Sequence, residues 1–313
     1  MKLSYYISTF CILLLVTSCQ KDIQLDDGDF EPRLVINGIF NPDELWKIDI
    51  SQSGNALDVN SYIEKIDDAY VTVENLTTGE ITELVHTSGH ENKGVYFSTN
   101  APQEFVNYKI VVEKEGLNTA SAINQIPTEI DVKFLDTSLI EIEGELALKI
   151  DFTINDNAGE DNFYVWDLVY TEENNNDQDG EDNDILPTYT DATLESVDDN
   201  TEILNDESNV QSKLFLTDGN FNGSNYSTTF LTHDENIVNS SNPSSSTGST
   251  DLKLKLRVLS VSQDLYNYLK SVEASYRSQN INTSNVNPVD IESNIVDGLG
   301  IFGAYKMHLI DIE

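Results

Sequence analysis

Apolar and polar side chains alternate over much of this chain, and no other feature constrains its fold as strongly. Between residues 33 and 125 the alternation is interrupted at short intervals by turn sequences such as Thr77-Thr78-Gly79 and Lys114-Glu115-Gly116. A period of two is typical of β-strands that bury one face, and glycine-containing interruptions are typical of hairpin turns. Six or seven such strands in succession predict an immunoglobulin-like β-sandwich over residues 32–127.

A second β-rich domain is predicted over residues 128–313. Its strand signals are the alternating runs 146–154 and 252–258 and a final run at 305–312. The run 163–170 is apolar on both faces, which predicts a strand in the middle of a sheet.

One strand of the second domain is basic on its polar side. That side is formed by Lys253, Lys255 and Arg257, in a chain with few cationic residues. Opposite charges on adjacent strands stabilise a sheet, so we expect these side chains to pair with carboxylates on a neighbouring strand.

One helix is predicted at about residues 262–278. The segment Ser260-Val261-Ser262-Gln263 has the Ser-x-x-Gln spacing of a capping box. An apolar face, widened by Tyr268, then repeats every three or four residues, at Leu265, Leu269, Val272 and Tyr276. We expect this face to pack on the sheet of the second domain; the alternative is a helix that binds a partner.

Residues 1–18 have the features of a secretory signal peptide. Lys2 is followed by an apolar run from Phe10 to Val16, which is shorter than the ~20 residues that a membrane-spanning helix needs. The sequence Val16-Thr17-Ser18-Cys19 resembles the lipobox of bacterial lipoproteins. The resemblance implies cleavage before Cys19 and acylation of that residue. The alternative is an ordinary cleaved signal peptide with a chance cysteine.

Residues 19–31 are predicted to form a lipidated acidic tether. Its first residues, Gln20, Lys21 and Asp22, resemble the surface-export signal of Bacteroidota lipoproteins. The resemblance implies an outer-membrane lipoprotein whose body faces the medium. A plain solvated linker in the periplasm is the alternative.

The composition excludes several classes of function. Seventeen Lys and Arg against 55 Asp and Glu give a net charge of −38, which repels nucleic acid and suits cations or basic partners. The alternative is that most of this acidic surface is simply a solvated face. The two cysteines are Cys11, within the predicted signal peptide, and Cys19. After cleavage and lipidation, no thiol would remain for a disulfide, a nucleophile or a thiolate metal site.

The segment 171–209 is an acidic loop with 14 Asp and Glu residues and no Lys or Arg. Within it, Asn175-x-Asp177-x-Asp179-Gly180 matches the start of a calcium-binding loop. The twelfth position is Leu186 where that loop requires Glu, and the eighth is Asp182 where an apolar residue packs. Two interpretations remain open: a weak cation site and a disordered acidic loop.

No arrangement of catalytic residues stands out. His86 and His90 flank a predicted turn, so their spacing of four does not indicate a helical metal pair. The run 298–303 contains Gly-x-Gly-x-x-Gly but leads into a strand, so we interpret its glycines as positions of positive φ or close chain approach. We predict no catalytic residues, no metal ligands, no cofactor and no enzymatic activity.

Three stretches together resemble the Bacteroidota lipoprotein family known as domain of unknown function 4249. They are the segment 31–38, the turn 216–223, and a closing block that runs from Leu265 through Asn287-Pro288-Val289 and Ser293-Asn294-Ile295 to Tyr305. The resemblance covers nearly the whole mature chain. It implies two β-rich domains on a lipid anchor and a TonB-dependent outer-membrane transporter as a partner. The family offers no catalytic residues to carry over.

We therefore expect a surface-exposed outer-membrane lipoprotein that is a non-enzymatic accessory or binding subunit of a TonB-dependent transporter or related outer-membrane complex. The main alternative is a stand-alone adhesin or glycan-binding lipoprotein, assisted by calcium through the acidic loop. A hydrolase with an unrecognised carboxylate pair is a third hypothesis. The aromatic turn 221–226 is either part of a partner contact or a buried core turn.

Overall fold

A computed structural model describes ten segments of the chain: residues 30–55, 63–87, 93–172, 188–189, 194–196, 201–202, 210–234, 237–238, 252–280 and 289–312. The chain divides into two compact units. One comprises residues 1–32 and 54–62, of which only 30–32 and 54–55 are described. The other comprises residues 33–53 and 63–313 and holds every helix and strand named below.

The N-terminal part of this larger unit is built from strands with one buried face. They are β1 (Leu34–Phe40), β2 (Lys47–Gln52), β3 (Glu64–Lys65), β4 (Tyr70–Asn75), β5 (Glu80–His86), β6 (Val95–Phe97), β7 (Asn107–Glu113) and β8 (Ala120–Gln125). In β1 the even-numbered residues from Leu34 to Phe40 are buried, as the alternation of the sequence predicts. Three of these strands depart from the pattern: both residues of β3 are exposed, Ile81 and Val85 of β5 are exposed, and two adjacent residues of β6 are buried.

The rest of the larger unit contains longer strands and one long helix. The long elements are β9 (Asp131–Ile142), β10 (Glu145–Asn155), β11 (Phe163–Glu172), β17 (Asn225–Thr232), β18 (Leu252–Val261), α1 (Gln263–Asn280) and β19 (Leu299–Asp311). The short strands are β12 (Thr188–Tyr189), β13 (Leu194–Ser196), β14 (Thr201–Glu202), β15 (Val210–Gln211) and β16 (Leu214–Thr217).

The described strands form two sheets. The larger has 14 strands, twelve of them in the order β14-β16-β11-β18-β19-β1-β2-β6-β5-β4-β7-β8, with β12 paired to β11 and β3 to β2. The smaller has five, in the order β15-β13-β17-β10-β9. The prediction of a mainly β chain with a sandwich-like N-terminal part, a second β-rich part and one amphipathic helix is confirmed. The predicted domain boundary between residues 127 and 128 stays a prediction.

The last strand, β19, connects the two parts of the larger sheet. Its first half pairs in parallel with β1, and its second half pairs antiparallel with β18. Phe302 of β19 thereby enters the N-terminal core, where its ring lies 4.8 Å from that of Phe40. Trp46 and Tyr108 complete this aromatic cluster, with ring centroids 5.0 Å apart. The carboxyl-terminal strand is therefore part of the first core as well as the second.

The glycines of the run 298–303 serve the purposes that the sequence predicts. Gly300 has a φ of +101°, and a Cβ there would lie 2.2 Å from the carbonyl oxygen of Ile36. At Gly303 a Cβ would lie 2.8 Å from the Cβ of Leu265, so the glycine allows α1 to approach the sheet. The interpretation of positive φ and close approach is confirmed.

The second core lies between the two sheets. Phe152 of β10 stacks on Trp166 of β11 at 4.4 Å, and Phe230 of β17 meets both rings. The strand β11 pairs with both β16 and β18, so the prediction that the run 163–170 is central is confirmed.

Two of the basic side chains on β18 pair as expected. Arg257 forms a buried ion pair with Asp167, directly opposite on β11. Lys255 lies 3.0 Å from Asp311 on β19. The side chain of Lys253 lies outside the described part of the structure.

The helix α1 is confirmed, but its predicted capping box is wrong. Ser260 is still in β18, where its hydroxyl donates to the carbonyl of Thr128 at 2.9 Å. Ser262 caps the helix instead, because its Oγ accepts from the amide of Leu265 at 3.4 Å. Its own carbonyl accepts from Tyr266 at 2.9 Å.

The apolar face of α1 is rotated from the predicted one. Leu265 and Tyr266 are buried against the sheet, and Leu269 and Tyr268 pack beside them. Tyr276, predicted on the same face, is 66% exposed. Packing of the helix on the sheet is thus confirmed only for its first half.

Candidate binding cleft

A cleft of about 300 Å³ opens where four segments that are distant in sequence meet. The segments are the loop before β7, the end of β8 with the residues that follow it, the loop 156–162, and the start of α1. The side chains that the cleft presents include phenyl rings, carboxamides, hydroxyls and carboxylates, on Phe105, Phe163, Gln125, Asn162, Gln263, Thr128, Ser262, Glu160 and Asp161.

Phe105 forms an exposed rim of this cleft. Its side chain is 67% exposed, and its φ of 61° lies in the left-handed region that non-glycine residues avoid. Such a conformation costs roughly 1–3 kcal/mol and persists only where neighbouring structure fixes it. The residue buries little surface in return, so its ring is presented rather than packed.

The loop that carries Phe105 is held on both sides. The amide of Gln103 donates to the hydroxyl of Tyr108 at 2.8 Å, and Val106 is buried. On the other side, Lys306 of β19 lies 2.8 Å from the carboxylate of Glu104. These contacts fix the backbone on either side of the strained residue.

The ammonium of Lys306 also lies 3.0 Å from the carboxylate of Glu129. Glu129 follows β8 and is the neighbour of Thr128, which lines the cleft. Burial by itself would lower the pKa of this ammonium. The hydrogen bonds that it donates to Glu104 and Glu129 have the larger effect, so the pKa is raised. Lys306 is therefore fully charged at neutral pH and joins two segments of the cleft to the central strand.

Asn162 lines the cleft, and the buried Asp218 holds its side chain in place. Asn162 is buried and donates to the carbonyl of Glu160 and to Oδ2 of Asp218, both at 3.1 Å. The amide of Asp218 donates in turn to the carbonyl of Asn162 at 3.2 Å. Asp218 is only 2% exposed, and burial raises the pKa of its carboxyl, with Asp156 and Asp161 adding to the rise.

The chemistry of the cleft favours a cation with an apolar or planar part. Its lining carries the exposed carboxylates Glu160 and Asp161 and contains no Lys, Arg or His. Phe105 and Phe163 supply ring surface on which such a group can pack. No feature of the sequence indicates this site, because its parts come from four separate segments and the strain at Phe105 leaves no sequence signal.

The lipidation site and the export signal lie outside the described residues. These are Cys19 and the stretch Gln20, Lys21 and Asp22. The calcium-like motif in residues 175–186 and His90 also lie outside them. In the part of the chain that the structure describes, no group of three or more His, Cys, Asp or Glu side chains is arranged to hold a metal ion.

The remaining described residues of interest have structural contacts. Nδ1 of His86 lies 3.1 Å from the carbonyl oxygen of Val95, and its Nε2 lies 3.6 Å from Asp67.

Phe221 is 7% exposed and stacks on Tyr226 at 4.3 Å. The ring of Phe221 therefore belongs to the core, whereas residues 222–225 of the turn are exposed, so the choice between a core turn and a partner contact stays open. Within the described ranges, no helix has the length and apolarity needed to span a bilayer.

The side chain of Asn294 forms three hydrogen bonds that hold the closing block of the chain together. Its side-chain amide donates to the carbonyl of Phe302 at 2.8 Å and to Asp264 at 3.0 Å. Its Oδ1 accepts from the amide of Phe302 at 3.0 Å. The same Asp264 oxygen accepts from Asn124 of β8 at 3.0 Å. One asparagine thus ties β19 to the start of α1, beside the cleft residue Gln263.

Comparison with known proteins gives a family but no characterised relative. No curated protein matches the sequence. The profile of the family described as domain of unknown function (DUF4249) matches residues 20–308. Because this match spans almost the whole chain, the protein belongs to the DUF4249 family.

Proposed function

We propose that this protein is a surface-exposed outer-membrane lipoprotein that serves as a non-enzymatic binding subunit of a TonB-dependent transporter or a related outer-membrane complex. The signal-like residues 1–18 and the lipobox at Cys19 support the lipid anchor. Gln20, Lys21 and Asp22 support display on the cell surface. Several acyl chains together make such an anchor stable, since each buried CH₂ contributes about 0.8 kcal/mol.

The observation that carries the binding role is the exposed ring of Phe105. Backbone strain at a residue that buries little surface is typical of ligand-contacting sites. The ring lies beside carboxylates and carboxamides that supply polar contacts. An exposed aromatic anchor with a polar surround is the arrangement that dominates binding energy in protein interfaces.

A stand-alone glycan-binding lipoprotein is the second candidate, and the same cleft favours it in one respect. An exposed phenyl ring offers an apolar face to a sugar ring. The carboxamides of Gln125, Asn162 and Gln263 can donate to and accept from hydroxyl groups. This candidate predicts binding of neutral oligosaccharides by the purified protein and no protein partner.

Affinity purification of the tagged full-length protein from membranes in mild detergent tests the proposal. We expect a β-barrel protein to follow in about equal amount, identified by mass spectrometry. The Cys19→Ala variant should leave the membrane fraction, and a Cys11→Ala variant should behave as the native protein does. A protein that purifies alone, or a Cys19→Ala variant that stays on the cell surface, contradicts the proposal.

A further inference from the structure

We propose that the cleft recognises an arginine or lysine side chain on an extended segment of the partner protein. This inference rests on the proposed function, since it names the chemistry of the partner that the cleft binds. It assigns to the cleft a single class of occupant.

Charge is the first argument. Glu160 and Asp161 are both exposed at the cleft, and its lining contains no basic side chain. Lys306, the cation on the adjoining strand, already pairs with Glu104 and Glu129, and its side chain is only 15% exposed. The carboxylate of Glu160 accepts a hydrogen bond of 3.5 Å from the neutral hydroxyl of Thr128, which does not neutralise its charge. Both cleft carboxylates are exposed to an incoming cation, on a protein whose net charge is −38.

The apolar surface is the second argument. A guanidinium or ammonium group is attracted to the face of a phenyl ring, and its aliphatic stem packs on apolar surface. Phe105 offers an exposed ring, and Phe163 and Pro127 extend the apolar wall. Carboxylates that flank a ring select a cation over a neutral group, because a neutral sugar gains no charge pairing from them.

Size is the third argument. A volume of about 300 Å³ is at the lower end of the range of about 300–1,000 Å³ that is typical of small-molecule sites. It suits one or two long side chains of a peptide segment better than a large cofactor. The lining residues lie at the ends of β8 and β18, at the start of α1 and in loops between strands.

Calorimetric titration of the full-length protein tests the inference, with the peptide acetyl-Gly-Arg-Gly-Arg-Gly-amide as the probe. The matched probe replaces both arginines by citrulline, which keeps the shape and removes the charge. We expect one binding site for the arginine peptide and at least tenfold weaker binding of the citrulline peptide. The variant Glu160→Gln/Asp161→Asn should lose at least tenfold in affinity for the arginine peptide.

A control variant separates cleft binding from general attraction to an acidic surface. Glu141→Gln/Glu145→Gln removes the same charge from exposed positions at the far end of the β9–β10 hairpin. We expect this variant to bind the arginine peptide within twofold of the native protein. Equal losses in the two double variants, or equal affinity for the arginine and citrulline peptides, would overturn the inference. So would a neutral oligosaccharide that competes the peptide out of the cleft.

The outcome is distinguishable from that of the proposed function. If the barrel protein follows both the native protein and the Glu160→Gln/Asp161→Asn variant equally, the inference fails and the transporter role stands. If no barrel follows the native protein but the arginine peptide binds as expected, the transporter role fails and the cation specificity of the cleft stands.

Discussion

The ammonium of Lys306, on the central strand β19, lies 2.8 Å from the carboxylate of Glu104, the residue immediately before Phe105. This ion pair connects the strand shared by both cores to the most strained rim of the cleft. Because Lys306 also binds Glu129, one side chain positions two of the four segments that form the cleft. The position of the cleft rim is therefore fixed by a residue of the sheet, and not by the loop 103–106 alone.

Replacing Lys306 by methionine tests this positioning role. The Lys306→Met variant keeps the length of the side chain and leaves Glu104 and Glu129 without their shared partner. We expect a loss of about 1–2 kcal/mol in the free energy of unfolding, since two charge-assisted hydrogen bonds disappear. Hydrogen exchange of residues 103–106 should become faster, and affinity for the arginine peptide should fall severalfold.

The matched control for this variant is Lys114→Met. Among the described residues Lys114 pairs with Asp68, whose side chain is 74% exposed, so this ion pair is screened by water. We expect unchanged hydrogen exchange in residues 103–106 and unchanged peptide affinity. Similar effects of the two variants would mean that Lys306 acts through general charge and does not position the rim.

Phe105→Gly separates binding from stability. Glycine adopts the φ of 61° without strain, which should stabilise the folded state by about 1–2 kcal/mol. The greater conformational freedom of glycine in the unfolded chain partly offsets this gain. The free energy of unfolding should stay within about 1 kcal/mol of the native value, whereas peptide affinity should fall at least tenfold. Tyr70→Ala, at an aromatic ring on β4 that is 51% exposed, should leave affinity unchanged. If the Phe105→Gly variant still binds the peptide with native affinity, the ring of Phe105 is not part of the binding site.

Gly300→Ala tests the junction between β19 and β1. An added Cβ would lie 2.2 Å from the carbonyl oxygen of Ile36, at a φ of +101°. We expect a loss of about 3 kcal/mol or more in urea unfolding, from backbone strain and overpacking together. Gly79 has a φ of +75° with open space around it, so the Gly79→Ala variant should lose only about 1 kcal/mol in the free energy of unfolding. Equal losses at the two positions would contradict the close approach.

Asp218→Asn tests the buried partner of Asn162 through its pH dependence. Burial raises the folded-state pKa of this carboxyl above its ordinary value of 3.8, so the folded protein holds the proton more tightly than the unfolded chain does. The resulting stabilisation is complete below the unfolded pKa and is lost as the pH rises through the folded pKa. The native protein should therefore lose stability relative to the variant as the pH rises above 3.8 in urea titrations. A difference that does not change with pH would contradict a raised pKa.

Sequence periodicity predicts the elements that bury one face and misses those that do not. The strands β1, β2, β4, β7 and β8 follow the alternation. The strands β3, β5 and β6 do not, because β3 is exposed, two apolar side chains of β5 are exposed, and two adjacent residues of β6 are buried. The strand β9 lies at the edge of the smaller sheet, where its inward side chains Val132, Phe134 and Leu139 are only partly buried, so its burial pattern is weak.

Local motifs are reliable only where the chain nearby decides their role. The glycines at 298–303 are correctly interpreted, because a strand without side chains at those positions has few alternatives. The capping box fails because Ser260 has a tertiary partner, the carbonyl of Thr128, so β18 extends past it. The cleft lies beyond any local motif, since Phe105 acquires its role only when Lys306 and Tyr108 fix the loop.

Site-specific photocrosslinking in intact cells tests the central claim, that the cleft binds a partner at the cell surface. The photoreactive residue p-benzoylphenylalanine would replace Phe105 in one strain and Tyr70 in a second. We predict that irradiation joins the first protein to one outer-membrane β-barrel protein, and that Glu160→Gln/Asp161→Asn in the same chain abolishes the product. The second strain should give no such product. No partner at position 105, or the same partner from both positions, would contradict the account.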